Sequence, residues 1–140
     1  MTAAISSKTK YPEGPRELTT HIASPADPMR GHVRVFVSDD KGPGGAHHIY
    51  NIAIVNDEGY AHSMQGVKFQ LGGVKEAGHN GLTIEALLAI VIDRLECFQT
   101  GPFPCIENGI ALTAIEYAME VLHCRTQERI SRNVEGQSRA

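Results

Sequence analysis

The sequence has no tryptophan, few other aromatic residues and no surplus of positive charge. Aromatic residues make up 6% of the 140 residues, and the formal net charge is −3. Proteins that bind nucleic acid through its phosphates usually have a basic surplus. The composition therefore disfavours a general role in binding duplex nucleic acid. The same composition still allows a local basic patch.

Cysteine is also scarce, and no long hydrophobic run is present. Cys97, Cys105 and Cys124 are an odd number of cysteines without a CxxC spacing, so neither a disulfide framework nor a common zinc site is indicated. We expect them to be small buried side chains. No apolar run approaches the ~20 residues of a membrane span, and the N-terminus lacks the apolar core of a secretion signal. The predicted location is the cytoplasm.

The first part of the chain has a different composition from the rest. Residues 1–29 contain Pro12, Pro15, Pro25 and Pro28, which are four of the seven prolines, and show no apolar period. This pattern predicts a flexible N-terminal arm. We expect residues 30–140 to form a single α+β domain.

A sheet is predicted over about residues 31–72, as strands joined by short turns. Strands that follow one another at this spacing favour an antiparallel arrangement. Two of the predicted strands, at about 60–63 and 67–71, are short, and residues 74–81 are predicted to form a loop.

Two helices are predicted after the sheet, at about 84–99 and 104–131. Thr83 is a suitable N-cap for the first helix, and Gly101-Pro102 ends it. Apolar residues at helical spacing predict one buried stripe on each helix. The stripes are Leu87, Leu88, Val91, Leu95 and Phe98, then Ala111, Ile115, Ala118 and Leu122. The predicted fold class is α+β, a small antiparallel β-sheet followed by a C-terminal two-helix hairpin.

The strongest candidate site combines an aromatic ring, an amide and two arginines, namely Phe98, Asn108, Arg125 and Arg129. Two arginines four residues apart project from one helical face, and their donor forks suit phosphate oxygens. A phenyl ring offers a stacking face for a base, and an amide can read hydroxyls or a base edge. Each residue also has a simpler structural explanation. The arginines fit a solvated helix face, Phe98 fits the core, and Asn108 fits a residue that only stabilises the start of the helix. Together they favour a nucleotide-like anion as ligand.

The spacing of these residues restricts how such a site can be built. Asn108 and Arg125 are 17 residues apart (125 − 108), which is roughly 25 Å along one helix. Phe98 lies near Asn108, because an antiparallel helix pair brings together the residues beside its loop. A two-fold, antiparallel pairing of the long helices would bring the arginines of one chain to the Phe98 and Asn108 of the other. The spacing therefore predicts a homodimer with two pockets at its interface.

Weaker candidates lie elsewhere in the chain. The glycine-rich segment with Lys75 and Asn80 precedes a helix start, where backbone N–H groups can take an anion, although a flexible connection explains it equally well. Thr126, beside Arg125, is a further ligand-binding candidate. His47 and His48 are adjacent on a predicted strand and point to opposite faces, so a metal site is not expected there, and no cofactor is indicated.

Several motifs occur together in the second half of the chain. They are residues 74–81, 85–95, Phe98-Gln99, Gly101-Pro102-Phe103, Arg125-Thr126, Arg129 and the tail Arg132-Asn133-Val134-Glu135-Gly136. In these motifs the chain resembles a phage protein family, the hexameric Thoeris anti-defence sponges that sequester cyclic ADP-ribose-type signals. The family tail commonly reads Arg-Gly-Val-Glu-Gly-Thr, so Asn133 and Gln137 depart from it.

The resemblance implies a function as well as a site. Members bind the signal, including glyco-cyclic ADP-ribose isomers, without cleaving it, in pockets between protomers, and so block activation of the Thoeris effector in the host cytoplasm. At the matching positions Phe98 would stack the base, Asn108 would hydrogen-bond the ligand, and Arg125 and Arg129 would hold phosphates. Some members also bind the cyclic trinucleotides of CBASS at separate sites in the hexamer.

Two other classes of function remain open from the residues alone. One is a cyclic-nucleotide-degrading enzyme, although the chain carries no recognised catalytic motif. The other is a protein-interaction module, in which Arg125 and Arg129 would pair with acidic residues of a partner protein. Recovery of the small molecule after binding would separate these classes from a sponge.

Overall fold

A computed structural model describes residues 16–137 of the chain. The chain forms two compact units, Met1–Leu71 and Gly72–Ala140, which are described separately below. The described part of the first unit contains an antiparallel sheet, and that of the second contains two long helices. The predicted α+β class is confirmed.

The sheet of the first unit has four strands that pair in chain order. They are β1 (Arg16–Leu18), β2 (Val33–Val37), β3 (Ile49–Val55) and β4 (Ala61–Lys68). Each pairs antiparallel with the next, for example through Val35 opposite Ile52 and Tyr50 opposite Val67. One face carries the small core of this unit, formed by Phe36, Ala53, Val55 and Ala61 with Met64 packed against them.

The strands differ from the prediction at two places. Arg16–Leu18, which the proline-rich composition placed in a flexible arm, instead form the edge strand β1. The two short strands predicted near residues 60–71 are one strand, β4, because Gly66 continues the ladder opposite Asn51 and does not break it. The rest of the predicted arm up to residue 15 lies outside the described residues.

The edge strand β1 is held by an ion pair as well as by its ladder. Arg34 on β2 donates from Nε and Nη2 to the two carboxylate oxygens of Glu17, both at 2.8 Å. The same guanidinium lies 5.2 Å from the centre of the Phe36 ring. A two-bond arginine–carboxylate pair stacked on an aromatic ring is better ordered than an ordinary surface pair.

We expect Arg34 and Glu17 to be energetically coupled. In a double-mutant cycle with Arg34→Ala and Glu17→Ala, the coupling should be about 0.5–1 kcal/mol of unfolding free energy, the upper range for a partly exposed pair. Urea denaturation measures it, with Glu58→Gln in the exposed turn after β3 as the control substitution. A coupling indistinguishable from zero would mean that the pair contributes nothing to holding β1.

The turn between β2 and β3 is organised by Asp39. Its carboxylate accepts hydrogen bonds from the backbone N–H groups of His48 and Ile49, at 3.0 and 3.1 Å. Loss of hydration acts to raise the pKa of Asp39, but the backbone N–H bonds and the nearby imidazoles outweigh it and hold the pKa below its usual value. The carboxylate is therefore retained in its charged form, and it fixes the start of β3.

The second unit contains a short helix and a helical hairpin. They are α1 (Val74–Ala77), α2 (Ile84–Thr100) and α3 (Ile106–Ser131). Thr83 caps α2 as predicted, since its Oγ1 accepts a hydrogen bond from the Ala86 N–H. The predicted loop at residues 74–81 instead begins with α1. None of the helices in residues 16–137 is sufficiently long and apolar to span a membrane.

The hairpin buries little of its apolar surface. Helices α2 and α3 pack against each other, and Leu88, Leu95, Ile115 and Leu122 are half-buried, but no side chain of either helix is fully buried. The predicted stripes are too wide, since Val91, Phe98 and Ala118 are exposed. All three cysteines are also exposed and free, so the prediction that they are buried is wrong. Two helices alone can cover each other on only one side.

Candidate functional site

The turn of the hairpin is fixed by the side chain of Gln99. Its Nε2 donates to the carbonyl of Cys105 at 2.9 Å, and its Oε1 accepts from the Cys105 N–H at 3.0 Å. This pair of bonds joins the last turn of α2 to the residue before α3. It sets the position of Phe98, the neighbour of Gln99 on α2, with respect to the first turn of α3.

The ring of Phe98 is accessible, and the guanidinium of Arg94 lies over it. The residue is 42% exposed, and the Arg94 guanidinium lies 4.9 Å from the ring centre. A base that stacks on Phe98 would use the remaining ring surface or replace Arg94. Arg94 was not among the candidates from the sequence; its position four residues before Phe98 on the same helix was the available signal.

Asn108 lies in the first turn of α3 and is half-buried. Its backbone N–H donates to Cys105 Sγ at 3.4 Å, so Cys105 is the N-cap of the helix. Within the described part of the chain its side-chain amide has no hydrogen-bond partner. The amide is therefore available to a ligand, close in the chain to the turn that positions Phe98.

The two arginines of α3 have different environments. Arg125 is exposed and has neither an ion pair nor a hydrogen bond to any of residues 16–137. The Arg129 side chain is only 12% exposed, and its Nε donates to Glu135 Oε2 at 3.1 Å. Its Nη2 donates to the carbonyls of Val134 and Gln137, at 3.1 and 2.8 Å. Arg125 is free to meet an anion, whereas Arg129 already binds the C-terminal segment.

The C-terminal segment folds back because of how α3 ends. The Asn133 N–H donates to the Ile130 carbonyl and the Val134 N–H to the Arg129 carbonyl, at 2.9 and 3.0 Å, which is the Schellman pattern. Asn133 has a φ of 56°, a left-handed conformation that glycine and asparagine adopt most readily. Asn133, where the resemblance leads us to expect glycine, thus has a backbone conformation that either residue can adopt. Val134, the next residue, is buried.

Lys75 meets this segment through its backbone. The Lys75 N–H donates to the Gly136 carbonyl at 2.8 Å, while the Lys75 side chain is exposed. Asn80 is half-buried and already has an interaction partner, and Thr126 is half-buried on α3. The structure thus brings Lys75 to the Arg129 end of the hairpin, a proximity that the spacing of residues in the sequence does not reveal.

The candidate residues therefore form two groups at opposite ends of α3. Phe98 and Asn108 lie beside the hairpin turn, and Arg125 and Arg129 lie near the other end of the helix. The continuous helix Ile106–Ser131 keeps Asn108 and Arg125 roughly 25 Å apart. One hairpin does not bring all four residues around a single small ligand.

Helix α3 also has an uncovered apolar face opposite its contact with α2. A shallow groove follows this face and is lined by Ile106, Gly109, Ile110, Thr113, Ala114 and Tyr117. Ile106, Ile110 and Tyr117 are 78%, 66% and 68% exposed. We call Ile106, Ile110, Tyr117 and Val121 the open face. Large apolar side chains at successive helical turns, all uncovered, are typical of a surface that a partner covers.

No metal site accompanies these groups. Within residues 16–137 there is no cluster of three or more histidine, cysteine, aspartate or glutamate side chains arranged to hold an ion. His48 is buried and its Nδ1 has no hydrogen-bond partner, but the nearest acidic oxygen, on Asp39, is 4.0 Å away. His48 and Asp39 belong to the turn between β2 and β3 in the first unit.

Comparison with known proteins finds a family model that matches the end of β4 and most of the helical part of the chain. The sequence model described as "Acb2/Tad1, hairpin domain" matches residues 64–126. Residues 64–126 are therefore similar to an Acb2/Tad1 hairpin domain. The match includes Phe98, Asn108 and Arg125, whereas Arg129 and the C-terminal segment follow it.

One relative of this chain comes from a phage. The chain is 48% identical over 77 residues to "Thoeris anti-defense 1" of Bacillus phage SBSphiJ7, which is 55% of this chain and 54% of that protein. The matched part thus spans about half the length of the relative. Together the two comparisons confirm the predicted resemblance to a phage Thoeris anti-defence family.

Proposed function

We propose that the protein is a phage-encoded anti-defence protein that binds a cyclic ADP-ribose-type immune signal and sequesters it without cleavage. By lowering the free concentration of the signal in the host cytoplasm, it would prevent activation of a Thoeris effector. The relative named for Thoeris anti-defence supports the biological setting. The candidate site supports the class of ligand, because it combines a stacking ring, an amide and a free guanidinium.

The observation that carries this proposal is the separation of the two groups along α3. A ligand the size of a dinucleotide is about half as long as the ~25 Å between Asn108 and Arg125. Two hairpins paired antiparallel would place Arg125 of one protomer beside the Phe98 and Asn108 of its partner. Each dimer then has two equivalent pockets, with stacking on one wall and phosphate contact on the other.

The open face of α3 supports a second copy of the chain as the partner. With Arg125 beside Asn108 of the partner, the two-fold axis crosses α3 about midway between them, near Tyr117. Tyr117 then meets its own copy and Ile110 meets the stretch around Val121, so residues of the open face cover one another. Complete burial of one such side chain stabilises an interface by about 1.5–3 kcal/mol. A pocket formed in advance between two rigid helices also limits the entropy lost when the ligand is ordered. A hexamer built from these dimers, and a separate site for cyclic trinucleotides, rest on the family resemblance alone.

The fate of the bound molecule tests the proposed function. The protein is incubated with a cyclic ADP-ribose-type signal, separated from free ligand and denatured, and the released molecule is analysed by mass spectrometry. We expect intact ligand at about one molecule per protomer, since a two-fold dimer has two pockets. A hydrolysed product would identify an enzyme. A complex with a host protein and no small molecule would identify a protein-interaction module.

A further inference from the structure

The turn of the helical hairpin has few backbone donors of its own. Residues 101–104 join α2 to α3, and both Pro102 and Pro104 lack an N–H group. The side chain of Gln99 crosses this turn, since its amide makes one bond with the carbonyl and one with the N–H of Cys105. We call these two bonds the Gln99 bridge. The turn is therefore closed through a side chain.

The bridge requires a side chain that donates and accepts at the same time. The Cys105 carbonyl meets the Gln99 Nε2 at 2.9 Å, and the Cys105 N–H meets the Gln99 Oε1 at 3.0 Å. A primary amide carries both functions side by side. Its orientation is fixed by these partners, because exchanging its nitrogen and oxygen would set donor against donor and acceptor against acceptor.

The bridge connects two residues of the candidate site. Phe98 directly precedes Gln99 on α2. On the other side of the turn, Cys105 Sγ accepts from the Asn108 N–H at 3.4 Å, and the Cys105 carbonyl also accepts from the Gly109 N–H at 3.2 Å. A Cβ on Gly109 would lie 3.1 Å from the Gln99 Nε2, so glycine leaves room for the amide. Gln99 thus holds Cys105, which in turn holds the first turn of α3.

We propose that Gln99 is a positioning residue for ligand binding, which sets the distance between the Phe98 ring and the Asn108 amide. This inference rests on the proposed binding of a cyclic ADP-ribose-type signal. Phe98 and Asn108 lie on different helices, so the turn decides how far apart they are. A ligand that stacks on one and bonds to the other tolerates only about 0.5 Å of misplacement. A mobile turn would also have to be ordered on binding, which lowers the affinity.

The substitution Gln99→Glu tests the bridge, because its effect depends on pH. At pH 7.5 the carboxylate has no donor for the Cys105 carbonyl and repels that oxygen, whereas a protonated carboxyl both donates and accepts. Glutamate becomes protonated below about pH 4.3. We expect the Kd of the signal to be about tenfold above the wild-type value at pH 7.5, and within about twofold of it at pH 4.0. Calorimetry of both proteins at both pH values measures this ratio.

A second variant removes the bridge without adding a charge. Gln99→Met loses both bonds but keeps a similar length and helix propensity. Its binding should be about tenfold weaker at both pH values, and the Cys105 amide should lose protection against hydrogen exchange. Gln65→Glu, at an exposed position of β4, is the matched control for the added charge and should follow the wild type. Circular dichroism and sedimentation velocity should match the wild type for all three variants.

Four outcomes would overturn the inference. If Gln99→Met binds with wild-type affinity, the bridge does not position the site. If Gln99→Met weakens binding while the Cys105 amide stays protected, Gln99 contacts the ligand directly. If Gln99→Glu is equally weak at both pH values, the donor and acceptor pair is not what binding requires. An unprotected Cys105 amide in the wild-type protein would mean that the bridge does not form.

Failure of the proposed function gives a different result. A wild-type protein with a protected Cys105 amide that does not bind the signal has the bridge but not the ligand. That result would contradict the proposed function and, with it, the role of Gln99 in binding.

Discussion

Replacing Arg125 by alanine is expected to weaken binding of the signal at least about 100-fold, or ~3 kcal/mol. The side chain is exposed and has no partner within the described chain, so its removal leaves no protein group unsatisfied. The loss therefore reports the contact with the ligand, a charge-assisted bond from a guanidinium to phosphate. Isothermal titration calorimetry with the cyclic ADP-ribose-type signal measures it directly.

The control for this variant is Arg132→Ala. Arg132 is a neighbouring exposed arginine that donates to Glu128 Oε2 at 3.0 Å on the same helix. Its removal changes the net charge equally, so a general electrostatic effect would weaken binding to the same extent in both variants. Sedimentation velocity should give the same oligomer as the wild type. If Arg125→Ala binds with wild-type affinity, the phosphate contact is assigned to the wrong residue.

A charge on the open face is expected to abolish both the dimer and the binding site. Ile110→Glu places a carboxylate among the apolar side chains of the two-fold interface, where it would be buried without a partner. The substitution leaves the protomer folded, because the side chain is 66% exposed and glutamate is a good helix former. Sedimentation velocity should show monomers, and calorimetry should show no binding of the signal.

Met29→Glu provides the matched control for Ile110→Glu. Met29 is an exposed apolar residue of the sheet unit, at 56%, and the same change there should leave assembly and binding intact. Circular dichroism confirms that the helices of both variants are retained. A monomeric Ile110→Glu protein that still binds the signal would show that one hairpin suffices for the site. A dimeric one would show that the open face is not the interface.

Local signals predicted much of the fold. Apolar periodicity identified both long helices and most of the sheet, and the Thr83 cap was correct because a threonine side chain satisfies an N–H at the helix start. The edge strand β1 was missed, since its three residues carry no alternation of their own. It forms through pairing with β2 and through the Glu17 bond to Arg34, which are contacts far apart in the sequence.

Only part of the candidate site could be predicted from the sequence. Helical spacing correctly predicted that Arg125 and Arg129 lie far along α3 from Asn108, because the helix is continuous. It did not reveal that the two arginines differ in exposure. That difference comes from the reversal at Asn133, which brings the carbonyls of Val134 and Gln137 to Arg129. Tertiary contacts of this kind have no signature in residue spacing.

The claim that the site is shared between protomers is tested most directly by mixing two defective variants. Phe98→Ala and Arg125→Ala protomers should each form dimers that fail to bind the signal. In a mixed dimer, one pocket has both defects, and the other combines an intact Phe98 with an intact Arg125 from the other chain. Refolding the two together in equal amounts should restore about a quarter of the wild-type sites, as measured by calorimetry. If no binding returns although mixed dimers form, the residues act within one chain and the shared pocket is wrong.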